Sequence, residues 1–344
     1  MLTVTALAGV VGVAPAGAGP IGTVVQAGND GALAITVSQA YFEGRSASGV
    51  VVADADEPAI AALAAAFAGG AAGRVPLLFA DSGVSDALVG EEITRVTGGP
   101  DGPGQPTVWL AGVGLDGLDG YDVRQLGDSV AEVTASIIES GPAAGTGGRV
   151  LLFDPGDWRA GVIAAGFGAA YGVPVLAADD LPAGLASAPL PVGIAIGSVS
   201  VPANRFSRID TIEGTNPSAL SAAAADALVH REFPAGAAVP ARPVQPVTAD
   251  GFGPRAGAAL LAPVVAAALH ADGATAPVLL VDGRPAADAA AACASGGRDA
   301  ASMCAVAKAA GATTVLALTA TVRSDGAAAA GRLPATGGDP AAGA

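Results

Sequence analysis

Positive charge is what this chain of 344 residues has least of. Lys308 is its one lysine, and 16 basic residues face 31 acidic ones, a formal net charge of −15. A surface for nucleic acid needs a basic patch, and no basic run exists here, so DNA and RNA binding are excluded as functions. Aromatic residues make up 4% and charged residues 14%. The two cysteines, Cys293 and Cys304, are too few for a cysteine-only metal cluster, and the two histidines, His230 and His270, stand 40 residues apart and form no sequence-local metal pair. No Gly-x-Ser-x-Gly elbow, His-x-x-Glu-His pair or phosphate-binding loop with its lysine occurs. Long apolar runs are missing too. The best, Ala256 to Leu269, is broken by Gly257 and Pro263 and falls short of the roughly 20 residues of a membrane span. It reads as a buried helix.

What is present is small. Gly and Pro number 50 and 25, and about a quarter of the residues are alanine, so the 51% hydrophobic content and the mean hydropathy of +0.54 are mostly methyl groups. Such a composition excludes charge-driven disorder, and the glycines lack the three-residue period of collagen. The length predicts two or three domains at roughly 100–200 residues each.

Three strands share one pattern: Val75-Pro-Leu-Leu-Phe-Ala-Asp81, Val173-Pro-Val-Leu-Ala-Ala-Asp179 and Ala276-Pro-Val-Leu-Leu-Val-Asp282, with starts 98 and 103 residues apart. An alanine-rich helical segment precedes each: Ala59–Ala68, Arg159–Tyr171 and Arg255–His270. Before the first two stand Val50–Ala53 and Val150–Phe153. After the three come Thr107–Ala111, Val192–Ile196 and Thr313–Leu318. Continuous rather than alternating apolar strands are the mark of buried parallel sheets. The expected fold is α/β, with three modules at 30–140, 149–230 and 247–320, each a parallel sheet flanked by helices. The three Pro-containing strands are expected in equivalent, central positions. The Gly/Pro-rich stretches Gly141–Gly148 and Pro234–Pro246 read as linkers.

At the ends, residues 1–18 read as an export signal: an apolar core, then Ala14-Pro-Ala16 and Ala16-Gly-Ala18 as cleavage sites, without a positive start. Residues 325–344 read as a disordered tail. It contains Leu333-Pro-Ala-Thr-Gly337, similar to a sortase pentapeptide, with seven residues after it. In an exported protein Cys293 and Cys304 could form one local disulfide.

The second unit carries a resemblance. It reads Arg149-Val-Leu-Leu-Phe-Asp154-Pro-Gly156-Asp157-Trp158-Arg159, then Gly172-Val-Pro-Val-Leu-Ala-Ala-Asp179, Gly193-Ile-Ala-Ile-Gly197 and Arg208-Ile-Asp-Thr-Ile-Glu-Gly214, leading into Ser218–Val229. This resembles the type 2 cell-wall-binding repeat, found in threes on exported Gram-positive proteins. Ile35–Phe42 resembles the helix that precedes a first repeat. The resemblance spans about residues 30–320 and is strongest over 149–230. It implies Rossmann-like modules in a pseudo-threefold arrangement and non-covalent attachment to an anionic wall polymer. Gly161 replaces the family's helix-opening Asp. The closing loop Gly214-Thr-Asn216-Pro-Ser218 lacks its Asp-Arg pair, and Gly127-Asp128-Ser129 keeps the Asp without the Arg.

Two glycine motifs suggest a nucleotide instead. Gly112-Val-Gly114-Leu-Asp-Gly117 matches the dinucleotide fingerprint, which needs a helix to open at once; the residues after it, with Gly120, predict none. Gly251-Phe-Gly253-Pro-Arg-Ala256 precedes a helical segment but follows a short strand beginning with proline. His230 and His270 end helical segments, where a cation complements the dipole. The polar residues of the β–α loops sit where ligands of parallel sheets bind. Among them Asp154, Asp157, Trp158 and Arg159, with Asn216 in the closing loop, form the expected polymer site. The indole supplies a stacking face and the others supply hydrogen bonds. The expectation is a secreted, wall-located, non-enzymatic surface protein without cofactor, holding its polymer weakly against its own negative charge. A nucleotide-dependent enzyme of Rossmann-like type and a purely structural surface protein stand as the alternatives.

Overall fold

The computed structural model describes residues 30–42, 47–80, 84–101, 104–140, 148–181 and 191–228 (without 203 and 216), the strands 245–248 and 278–281, and residues 261, 262 and 265. Asn216, the two cysteines, the two histidines, the Gly251 motif, the leader and the tail lie outside the described residues.

The first unit runs α1 (Asp30–Tyr41), β1 (Gly49–Asp54), α2 (Pro58–Gly69), β2 (Leu77–Ala80), α3 (Asp86–Thr97), β3 (Thr107–Ala111), β4 (Asp122–Gly127) and α4 (Val130–Glu139). The second runs β5 (Arg149–Phe153), α5 (Trp158–Tyr171), β6 (Val175–Ala177), β7 (Val192–Ile196), β8 (Arg208–Ile212) and α6 (Pro217–Asp226). Each forms a four-stranded, wholly parallel sheet, in the orders β2-β1-β3-β4 and β6-β5-β7-β8. Both sheets have their helices alongside, as the continuous apolar strands require: Val50 to Ala53 and Leu151 to Phe153 have no exposed surface. Beyond them β9 (Gln245–Thr248) and β10 (Val278–Val281) form a parallel pair. Leu261, Ala262 and Val265, from the chain between these two strands, are buried.

One expectation is corrected. The Pro-containing strands β2 and β6 hold equivalent places, but at the sheet edge, not the centre. The chain crosses from β1 through α2 to β2 and then returns to the far side of β1, so the second strand is left outermost. That edge is covered by the helix that precedes each sheet in sequence: α1 lies against β2, α4 against β6, and α6 against β10. Strand β8, from Arg208, and its counterpart β4, which closes the first sheet, are not assigned from the sequence.

The alanine content has its explanation between the sheets. The crossover helices α2 and α5 pack along each other with almost no side chain between them. A Cβ placed on Gly69 would lie 2.4 Å from Ala169 Cα, and one on Gly168 would lie 2.9 Å from Ala66 Cβ. Close backbone approach substitutes here for side-chain volume. Larger residues, among them Phe79, Phe153 and Phe167, fill the space on the sheets.

Helix starts follow local chemistry. Ser129 caps α4 by accepting from the Glu132 N–H at 3.3 Å, while the Glu132 carboxylate accepts from the Asp128 N–H at 2.8 Å, a variant of the capping box. Pro58 opens α2, where its missing N–H costs nothing. Glu92 of α3 is buried, held by Arg95 through two hydrogen bonds of 2.8 and 2.6 Å and by Gln39 of α1 at 3.4 Å.

Candidate functional site

In a sheet of order 2-1-3-4 the strand direction of travel reverses between the first and third strands, and the loops leaving their carboxyl ends frame the crevice where ligands bind. In the second unit these loops follow β5 and β7, and the first of them holds Asp154, Asp157, Trp158 and Arg159.

The loop is built by its own carboxylates. Asp154 Oδ1 accepts from the Gly156 N–H at 2.8 Å, and the Asp154 carbonyl accepts from the Asp157 N–H at 2.9 Å. Asp157 is the N-cap of α5: its Oδ1 accepts from the Arg159 N–H at 3.1 Å and from the Ala160 N–H at 3.3 Å. Asp154 and Asp157 therefore shape the loop and satisfy backbone donors.

Trp158 follows the cap and is only 8% exposed. The open stacking face expected from the sequence is not there. The indole belongs to the core, and the Arg159 guanidinium lies over it, Cζ 4.6 Å from the ring centroid. Arg159 is half-buried, and its side chain forms no ion pair among the described residues. The structure thus brings four of the five expected residues together and gives them different tasks. The two acids lock the loop, Trp158 supports, and Arg159 presents the charge.

The third-strand loop comes close to them: a Cβ on Gly197 would lie 3.8 Å from Asp157 Oδ2. Gly197 turns the chain at φ +82, and its N–H donates to the Ile212 carbonyl at 2.9 Å. Its counterpart Gly112, at φ +71, donates to the Gly127 carbonyl at 2.8 Å. A Cβ on Gly112 would sit 3.0 Å from Ile60 Cδ1; on Gly197 the nearest atom would be Ala160 Cβ at 3.5 Å. Ile60 crowds Gly112 in the first unit; in the second the smaller Ala160 stands at that place, with Leu220 Cδ2 at 3.6 Å and Asp157 Oδ2 at 3.8 Å from the same Cβ. Sequence reading passed over this difference, although Ile60 and Ala160 stand at the same offset from Asp54 and Asp154.

The first unit repeats the loop turn without the rest. Asp54 Oδ1 accepts from the Asp56 N–H at 2.7 Å, but Glu57 at the cap position makes no side-chain cap bond, and Pro58 stands where Trp158 does. After Gly112 the chain runs through turns to β4 with no helix, so the fingerprint glycines there have no helix N-terminus behind them. Among the described residues no group of three His, Cys, Asp or Glu side chains is arranged to hold a metal ion, and no helix is long and apolar enough to cross a membrane.

No family profile and no curated protein sequence matches the chain. Solved structures do. Cwp8 from Clostridium difficile superposes with a TM-score of 0.60 over 86% of this chain at 14% identity, and Cwp6 from the same organism with 0.57 over 90% at 14%. The chain spans about half the length of each, 49% and 46% respectively. At this identity the likeness establishes the fold, which is that of these two proteins.

Proposed function

We propose that the protein is a non-enzymatic, secreted, wall-associated surface protein that attaches weakly to an anionic wall polymer through its second unit. The observation that carries the reading is the fold shared with Cwp6 and Cwp8 over most of the chain, joined to a single oriented arginine at the ligand-binding end of one sheet. Arg159 is the contact, held over Trp158 at the first turn of α5. Asp154 and Asp157 keep the loop in shape, and Asn216 borders the same end of the sheet in sequence. One guanidinium donates about 1.5–3 kcal/mol per hydrogen bond to a charged group, and the net charge of −15 repels a polyanion at long range. Attachment is therefore weak and strengthens when salt or divalent cations screen that repulsion.

The test is co-sedimentation with cell-wall sacculi before and after their secondary polymers are stripped. Binding to intact sacculi that disappears on stripping, and that falls in Arg159→Ala, is the expected result. A parent protein that never pellets favours a structural role without ligand. Binding that survives Arg159→Ala moves the site elsewhere.

A further inference from the structure

Among the described residues, each four-stranded sheet ends on a strand with one side unpaired: β4 in the first, β8 in the second. Val123 and Ile209, on these two strands, are the exposed large apolar residues among the described ones, at 42% and 38%. Each is flanked by an ion pair of opposite order. Arg124 meets Asp122 at 2.8 Å around Val123, and Arg208 meets Asp210 at 2.5 Å around Ile209. The Asp122 N–H donates inward to the Pro106 carbonyl before β3. Backbone groups alternate along a strand, so those of Val123 point out of the sheet edge.

We propose that β4 is a self-association edge: a second copy of this chain adds to it antiparallel, about a twofold axis at Val123, with Asp122 of each copy opposite Arg124 of the other. The stretch Asp-Val-Arg read backwards is Arg-Val-Asp, so this register is charge-complementary on both flanks. It also lets the two Val123 residues exchange N–H···O=C bonds and pack side by side. Protected edges ordinarily carry charge that repels a second strand; here the charges match one. Antiparallel pairing of β4 with β8, centred on Val123 and Ile209, places Asp122 opposite Asp210 and Arg124 opposite Arg208. Like charges directly opposite are destabilising, which disfavours that pairing; a parallel β4–β8 contact is separated from the β4 self-contact by the mixture of variants below.

So short an edge buries less than the roughly 1,000 Å² of a stable interface, and two copies of net charge −15 repel. The contact is weak, and it is read at an ionic strength of about 0.15 M, where charges are screened beyond about 8 Å. Sedimentation velocity on the full chain over a dilution series tests it, with circular dichroism confirming that each variant is folded. The parent is expected to form a concentration-dependent dimer. Arg124→Asp and Asp122→Arg are each expected to be monomeric, because each places like charges opposite one another. An equimolar mixture of the two variants restores every opposite pair, and its dimer population should equal or exceed the parent's. Three results overturn the proposal: a parent monomeric up to about 1 mM, the weak limit of a specific contact; single variants that associate as the parent does; or a mixture that stays monomeric. The last is also what a parallel contact between β4 and an unchanged β8 would give.

Discussion

Arg159 rests on Trp158, with its Cζ 4.6 Å from the centre of the indole, at the first turn of α5. The aromatic ring and the base are adjacent in sequence, yet the ring is buried and the base only half-buried. This pairing gives a guanidinium a fixed direction at low entropic cost, since cation–π contact holds the planar group flat.

The two residues should therefore separate in experiment. Trp158→Ala removes a buried aromatic side chain and is expected to cost about 3–5 kcal/mol of stability, measured by urea denaturation. Arg159→Ala should stay within about 1 kcal/mol of the parent, as substitutions outside the core do, while sacculus pelleting falls. Trp158→Phe, which keeps a ring under the guanidinium, should retain most of the binding.

The seam between α2 and α5 predicts a steric penalty with no polar component. A side chain on Gly168 meets Val175 Cγ2 at 2.5 Å and Ala66 Cβ at 2.9 Å. Gly168→Val is expected to destabilise by at least the ~1–3 kcal/mol of core overpacking, with the denaturation midpoint as the readout. Gly90→Ala, on α3 with nothing within 4 Å of the new Cβ, is the matched control and should be neutral or stabilising by up to about 1 kcal/mol, since alanine favours the helix.

Glu92 makes a third case. It is 3% exposed and its carboxylate is gripped by Arg95, whose side chain is 35% exposed. Arg95→Ala leaves a buried charge without its main partner. The expected loss lies toward the lower end of the ~3–5 kcal/mol typical of broken buried pairs, because water reaches the arginine side. The double variant Glu92→Leu with Arg95→Leu should recover much of that loss. Urea midpoints of the two variants and the parent check both statements.

The Asp122 carboxyl titrates below its ordinary value. The hydrogen bond from Arg124 lowers it most; desolvation opposes this, and the Thr107 Oγ1 bond at 3.1 Å and the positive charge of Arg124 add to the lowering. A carboxyl with a lowered folded value contributes stability above its unfolded value of about 3.9. That contribution is lost as pH falls through the folded value. Association through β4 should accordingly persist in mild acid and vanish only below about pH 4. In an NMR titration Arg124→Ala should move the Asp122 carboxyl back up toward its ordinary value.

Parallel strands and crossover helices could be read from the residues because burial on both faces leaves unbroken apolar runs, as in Val50–Ala53 and Val192–Ile196. The outermost strands β4 and β8 could not. Asp122-Val-Arg-Gln and Arg208-Ile-Asp-Thr are half solvated, and half-solvated strands look like loops. The position of β2 and β6 at the edge was hidden for the opposite reason. Helices α1 and α4 cover those strands so fully that their composition matches a central strand. At the candidate site, four of the residue types singled out share one loop, but their roles depend on geometry. An N-capping Asp157 and a ligand-binding one are the same letter, and burial of Trp158 follows from its place at the first turn of α5.

The helix α4 belongs by sequence to the first repeat and by contact also to the second, since it lies along β6 just as α1 lies along β2. The unit of duplication and the unit of folding are thus out of phase by one helix. A fragment cut at the linker near residue 148 would begin with a bare β6 flank and leave its intended cover on the other piece. Excised repeats would be poor domains. Borrowing the missing helix from a neighbouring chain would be the natural repair, and dissection of this protein into stable parts has to cut before the covering helix rather than after it.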